Sequence, residues 1–287
     1  MKKINGLSIG DNLHLAVAAT KSLRDFAPNV AGAFKGCEPS WFNSAVQTTY
    51  NRMMIWLNDL AIVENAINVQ LAATCSRSLF EHLLDLKWLI RNPHLGEAFR
   101  AFTLVRRYDI ASVIVDECNR DATTDKSIYR RELELVCDPE RRKMRDALCL
   151  EHGWVSKGGE PKRPKHWWGE NAEQRARTLD GGTHTYLKYY LNLYSTISNL
   201  IHPGGVGLDG MSATAIAGLF ISLHAFAQQF FLEATDLVCK TFPVPAETAD
   251  AFHKLFFGDA PYGKPYMEPE ASSPPSDEAE TVIKPNA

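Results

Sequence analysis

Two short stretches of the chain carry the residue types that acid–base or anion chemistry needs. The first is Arg77-Ser78-Leu79-Phe80-Glu81-His82, which sets a guanidinium, a carboxylate and an imidazole within six residues. The second is the series Tyr186, Tyr190, Tyr194, Ser198, His202, a hydroxyl or imidazole at every fourth position. On a helix turning about 100° per residue, Ser198 falls amid Leu187, Leu191, Tyr194 and Ile201, with His202 at the edge of that apolar face. A buried hydroxyl can bond back to a carbonyl one turn earlier, and the helix dipole favours a histidine at a C-terminus, so a structural role accounts for much of the stripe. The functional alternative makes His202 a general acid or base, held beside a Pro203-Gly204-Gly205 loop that lets a ligand approach the backbone.

The Arg77 helix is cleanly two-faced. Glu81, His82, Asp85 and Ser78 share one side, and Leu79, Phe80, Leu83, Leu84, Leu86 and Ile90 fill the other. Its polar side is either a solvated face with an Arg77/Glu81 pair worth a few tenths of a kcal/mol, or, because Trp88 falls beside Arg77, a partly covered one. An unsatisfied buried polar group costs about 1–3 kcal/mol. Arg77 and Glu81 are therefore expected to approach Ser198 and His202 across a helix–helix contact, giving the candidate catalytic set Arg77, Glu81, His82, Ser198 and His202.

Between these stretches the segment 139–178 has ten Lys/Arg against six Asp/Glu. Lys162, Arg163 and Lys165 lead into His166-Trp167-Trp168, so cations that can steer an anion precede aromatics that can anchor a partner. With Tyr190 and Tyr194 these are the candidate binding residues. No metal site and no cofactor are expected: the nine histidines are scattered, no His-x3-His lies on one helix face, and P-loop, dinucleotide and Gly-x-Ser-x-Gly patterns are missing.

The elements that must position these residues are helical, because apolar–polar alternation and hairpin turns are lacking. Helices are predicted over about Asp11–Phe26, stopped by Pro28; over Trp41–Asn92, as two broken near Asn58-Asp59 or one long bent helix; and over Glu97–Glu117. Another starts at Asp138 as N-cap with Pro139 at the first position. The stretch Gly153–Glu170 reads as a loop, followed by a helix over Thr183–His202. Next come 23 uncharged residues, Gly210–Leu232, and a last helix over Pro245–Phe257. The uncharged stretch is long enough to span a bilayer. Its Asp209, Glu233 and Asp236 flanks lack the cationic asymmetry of a membrane span, which favours the buried centre of a bundle and no membrane.

With 287 residues, 31 Lys+Arg against 34 Asp+Glu and 45% hydrophobic content, the chain is long enough for a sizeable core and not basic enough to hold nucleic acid by bulk charge. Six cysteines with no two-residue gap read as reduced, mostly buried thiols, and no signal-peptide core follows Lys2-Lys3, so a cytoplasmic location is expected. The final 30 residues hold six Pro and a net charge of -4. That composition predicts a disordered acidic tail. The organisation expected is all-α: an N-terminal helix and linker over 1–40, a single helical bundle with a buried uncharged central helix over 41–257, and the tail over 258–287.

Arg77-Ser78-Leu79-Phe80-Glu81, then Trp167-Trp168, then Tyr190, Tyr194, Ser198 and His202, resemble in order and spacing an uncharacterised all-helical bacterial family, a domain of unknown function, over about Trp41–Leu237. That resemblance implies a compact helical bundle and brings no activity with it. Arg77-x4-His82 is more distantly similar to HEPN helical domains. Those are often metal-independent ribonucleases with an Arg-x(4–6)-His motif at a homodimer interface. Here Ser78 stands where they usually carry Asn, Asp or His, and Arg77 and His82 lie about 140° apart round a mid-helix.

Two functions compete on these residues. One is a ligand-binding or protein-interaction module with an Arg/Glu/Ser/His pocket that recognises a small ligand or a partner. The other is a metal-independent ribonuclease, acting as a toxin or phage-defence effector, with His82 or His202 as acid/base and Arg77 stabilising the phosphorane. The near-neutral body favours the module.

Overall fold

The computed structural model describes residues 8–120, 125–180, 185–194, 197 and 210–257. These are all-α: the one extended pairing among them is a single bridge between Val155 and Pro161. In chain order the helices are α1 (Ile9–Ala31), α2 (Trp41–Ala61), α3 (Val69–Arg91), α4 (Gly96–Arg120), α5 (Arg130–Cys137), α6 (Pro139–Glu151), α7 (Ala172–Asp180), α8 (Thr185–Tyr189), α9 (Ala213–Thr241) and α10 (Ala246–Phe257). Met1–Pro245 forms one compact unit and Ala246–Ala287 a second, of which α10 is the described part. The acidic tail expected from Gly258 lies outside the described residues.

Four long helices make the core of the first unit. α3 packs against both α2 and α9, and α1 packs against α9 and α2. α9 suits this central place because Phe220, Leu223, Ala227, Phe230, Phe231, Ala234 and Val238 recur at helical spacing and are buried. Polar groups also meet across its helix contacts in the core. Ser76 Oγ donates to the Leu223 carbonyl at 2.9 Å, the Tyr50 and Thr235 hydroxyls meet at 3.0 Å, and Thr20 Oγ1 lies 2.9 Å from His224 Nδ1. Such bonds add about 0.5–1.5 kcal/mol each and fix which helix faces which. By length and composition, α9 is the one described helix long and apolar enough to cross a membrane. It runs past the uncharged stretch to Thr241, taking in Glu233, Asp236 and Lys240.

Several sequence signals hold at residue level. Asp138 caps α6, accepting from the Glu140 amide at 2.9 Å with Pro139 as first helical residue. The segment between α6 and α7 is a loop apart from the Val155–Pro161 bridge. Cys75, Cys118, Cys149 and Cys239 are buried.

Three expectations need correction. The α2–α3 break follows Ala61 rather than Asn58-Asp59, with Asn65 accepting from the Ile67 amide at 3.0 Å in the connection. α1 does not stop at Pro28 but continues to Ala31. An internal proline costs about 3 kcal/mol, and the burial of Ala27 and Val30 on the turn around it opposes that cost. Finally, among the described residues of the helix expected over Thr183–His202, α8 is followed by a π turn, Tyr190–Tyr194, and Ile197 is again α-helical. The wider turn breaks the regular α-helical register, so Leu191, expected on the buried face, is 52% exposed, while Leu193 is buried.

Around the core, α4 lies on α2, α5 and α6 lie on α4, and α7 lies on α3. The α2–α4 approach is close: a Cβ at Gly96 would lie 2.6 Å from the Phe42 backbone nitrogen, so only glycine fits there.

Candidate functional site

Asp85 sits on the polar side of α3, one turn beyond Glu81, and is buried. The α6–α7 loop and α7 cover that side. Gly169, at φ 81°, turns the chain after Trp167-Trp168. Asn171 then starts α7 by a reciprocal cap, its side chain accepting from the Gln174 amide at 2.9 Å while Gln174 accepts from the Asn171 amide at 3.0 Å. This start aims Arg175 at α3. Trp88 on α3 packs against Trp168 with ring centroids 4.4 Å apart and planes tilted by 31°, so the polar face is partly covered.

Three groups converge on one carboxylate oxygen. Arg175 Nη1 lies 2.8 Å from Asp85 Oδ1, His166 Nε2 lies 3.1 Å from it, and the buried Trp167 indole donates to it at 3.3 Å. Burial alone would raise the Asp85 carboxyl. The Arg175 guanidinium and His166 override this and hold it well below the usual carboxylate range. Arg175 Nη1 is also 2.9 Å from His166 Nε2. That nitrogen cannot accept from Arg175 and donate to Asp85 at once. With its proton on Nδ1 the neutral imidazole accepts from Arg175 at Nε2, and with a proton on Nε2 it donates to Asp85. His166 Nδ1 is buried with no partner among the described residues. His82 Nδ1 stands 3.9 Å from Asp85 Oδ2, within electrostatic reach but beyond a hydrogen bond.

The candidate residues Arg77 and Glu81 form a second layer beside this cluster. Arg77 Nε donates to Glu81 Oε1 at 3.0 Å, Arg175 Nη2 lies 3.9 Å from Glu81 Oε2, and the Tyr194 hydroxyl bonds both Arg77 and Glu81. Arg77 also stacks over the Tyr194 ring at 4.1 Å, and Tyr190 stacks on Tyr194. Burial and the Glu81 charge push the Tyr194 phenol up, so it stays neutral. The tyrosine stripe thus reaches the Arg77/Glu81 pair through Tyr194. Ser198 and His202, the groups expected to meet that pair, lie outside the described residues.

These side chains border a cavity of about 150 Å³ lined by Arg52, Glu81, His82, Asp85, Phe99, Phe102, Thr103, Arg106, Lys165, His166 and Trp167. Its two acids already face Arg175 and Arg77. Its cations Arg52, Arg106 and Lys165 form no ion pair with an acid among the described residues. Burial and the neighbouring Arg106 charge pull the Arg52 guanidinium below the usual arginine value. The other sequence-singled cations differ. Arg163 is bound at 3.0 Å to Asp109, which Arg145 also holds at 3.0 Å, and Lys162 does not line this cavity. A larger cavity of about 660 Å³ near Phe34, Cys37 and Trp41 has Glu38 as its one charged lining residue. It lacks the mixed acid–base set found beside Asp85. Among the described residues no His/Cys/Asp/Glu group has metal-binding geometry.

Sequence reasoning missed Asp85, His166 and Arg175 as a unit, and missed Arg52 and Arg106. The available signal was Asp85 continuing the Arg77–Glu81 row one turn on, a charge on a face already suspected of being covered. A family model matches residues 61–213, more than half of the chain. The chain belongs to a family of unknown function (DUF5677). Of the site residues named above, Arg52 alone lies outside the stretch that the DUF5677 model matches. No curated protein and no solved structure matches the chain.

Proposed function

We propose that this DUF5677 member is a soluble, cytoplasmic ligand-binding module whose Asp85-side cavity takes a compact anionic group. One observation carries the reading: Arg52, Arg106 and Lys165 line a small cavity without acid partners among the described residues, while the acids there are already engaged. At Arg52 the Arg106 charge outweighs the favourable Asp85 charge, and a phosphate or carboxylate would relieve that repulsion and suits the guanidinium fork geometry. His82 and His166 add ring N–H donors to the same lining. The packing of α9 on α1, α2 and α3, with His224 and Thr235 buried, supports the soluble reading. Titration calorimetry with inorganic phosphate on the full chain tests the function. Binding that weakens at least tenfold in Arg106→Ala supports it, and no heat at millimolar phosphate sinks it.

A second reading, a metal-independent ribonuclease of the toxin or phage-defence kind, is favoured by one feature: two imidazoles border the same cavity as two guanidiniums. One imidazole would take the 2'-hydroxyl proton as that oxygen attacks phosphorus, and the other would protonate the departing 5'-oxygen. Arg52 and Arg106 would meet the phosphorane charge, since Arg77 is held by Glu81 and Tyr194. Labelled RNA in EDTA decides this. Cleavage lost in both His82→Ala and His166→Ala supports it, and intact RNA at every enzyme concentration refutes it.

A further inference from the structure

The cavity wall is shared with a second depression. Arg52, Thr103 and Arg106 also line a groove of about 380 Å³ completed by Arg107, Ile110, Ala111, Ile114, Arg131, Glu132 and Leu135. Its construction follows from helix periodicity. Thr103, Arg106, Arg107, Ile110, Ala111 and Ile114 lie at i, i+3, i+4, i+7, i+8 and i+11 along α4, so they form one face. α5 packs beside that face and adds Arg131 and Leu135.

The charges there are unlike those elsewhere on these helices. Arg130, next along α5, pairs with Glu134 at 2.8 Å, and Arg120 near the end of α4 pairs with Glu117. Arg52, Arg106, Arg107 and Arg131 form no ion pair with an acid among the described residues, and Glu132 is the lone carboxylate among the groove's lining residues. Between the guanidiniums the wall is aliphatic. Ile110 is exposed on it, and Leu135, Ile114 and Ala111 lie alongside.

We propose that this trough carries a single-stranded nucleic-acid segment, with one phosphate in the Asp85-side cavity and the following phosphates along Arg106, Arg107 and Arg131. A wall that combines Arg106, Arg107 and Arg131 with aliphatic side chains suits a chain whose phosphates carry sugars and bases; a bare polyphosphate would gain nothing from the isoleucines. A chain with a net charge of -3 needs such a local array to hold a polyanion at all. This inference rests on the anion reading of the cavity and extends it to Arg107 and Arg131, which line the groove but not the cavity.

The test is fluorescence anisotropy of the full chain with 5'-labelled single strands of two, four and eight nucleotides, oligouridylate RNA and oligothymidylate DNA in parallel, beside calorimetry with inorganic phosphate. Arg107 and Arg131 are exposed, so Arg107→Ala/Arg131→Ala should fold normally, and a melting curve checks that. Affinity is expected to rise with strand length. The double variant should weaken octamer binding at least tenfold, leave phosphate binding unchanged, and lower the salt slope by about 1.4, at about 0.7 per lost phosphate contact. RNA bound alone, or RNA and DNA bound alike, both support the proposal and identify the source. An octamer held no more tightly than the dinucleotide, or equally by wild type and variant, overturns the groove while leaving the cavity intact. Absence of phosphate binding, with strand binding still dependent on Arg107 and Arg131, overturns the cavity reading instead.

Discussion

Arg175 Nη1 lies 2.8 Å from Asp85 Oδ1, with the arginine 3% and the aspartate 6% exposed. The pair joins α7 to α3 and fixes the loop that carries His166 and Trp167 over the same carboxylate. Because both charges are out of water, their attraction is offset by desolvation, and the pair is better understood as positioning the cavity than as a large source of stability.

Asp85→Asn leaves the Arg175 charge buried with Glu81 at 3.9 Å as its remaining counter-ion. A loss of about 3 kcal/mol is expected, the lower end for breaking a buried pair. Urea unfolding measures it, and the double variant Asp85→Leu/Arg175→Met should be more stable than Asp85→Asn alone. An Asp85→Asn protein with the wild-type midpoint would show that the pair is not closed in solution.

His224 gives the fold an acid limit. It is fully buried between α9 and α1, and burial pulls it from 6.5 to about 4. The unfolded chain therefore takes up a proton that the folded chain refuses. The contribution is intact above about pH 6.5 and is lost as pH falls toward 4, by up to about 1.4 kcal/mol per pH unit. Between pH 7 and pH 5 wild type should lose about 2 kcal/mol more than His224→Gln in urea unfolding. Equal losses in the two proteins would contradict the assignment.

The α2–α4 contact is set by Gly96. Gly96→Ala drives a methyl group into the Phe42 backbone and should cost about 1–3 kcal/mol, the usual range for overpacking. It should also weaken anion binding, because Arg52 on α2 and Arg106 on α4 face the cavity from the two helices that separate. A variant with unchanged melting temperature and affinity would contradict this.

What the sequence made legible was local. The Asp138-Pro139 start of α6, the all-helical class and the two-faced α3 follow from spacing and capping, which act over a few residues. Trp88 beside Arg77 even signalled that α3's polar side is partly covered, as its packing against Trp168 bears out. Pro28 misled because burial of Ala27 and Val30, a tertiary effect, opposes a local stop signal. Leu191 misled because a wheel of fixed pitch cannot anticipate the π turn. The cavity itself was illegible for a related reason. Arg52, Asp85, Arg106 and His166 come from α2, α3, α4 and a loop, and no sequence spacing relates them.

The proposed anion site lies between Arg52 and Arg106, beside His82 and His166. Crystals of the full chain soaked in tungstate test it most directly, since the anion's anomalous signal locates it without interpretation of weak density. The expected result is a peak within hydrogen-bond reach of both guanidiniums, lost in Arg106→Ala crystals treated alike. A cavity holding water alone, with tungstate bound only elsewhere on the protein, would contradict the claim.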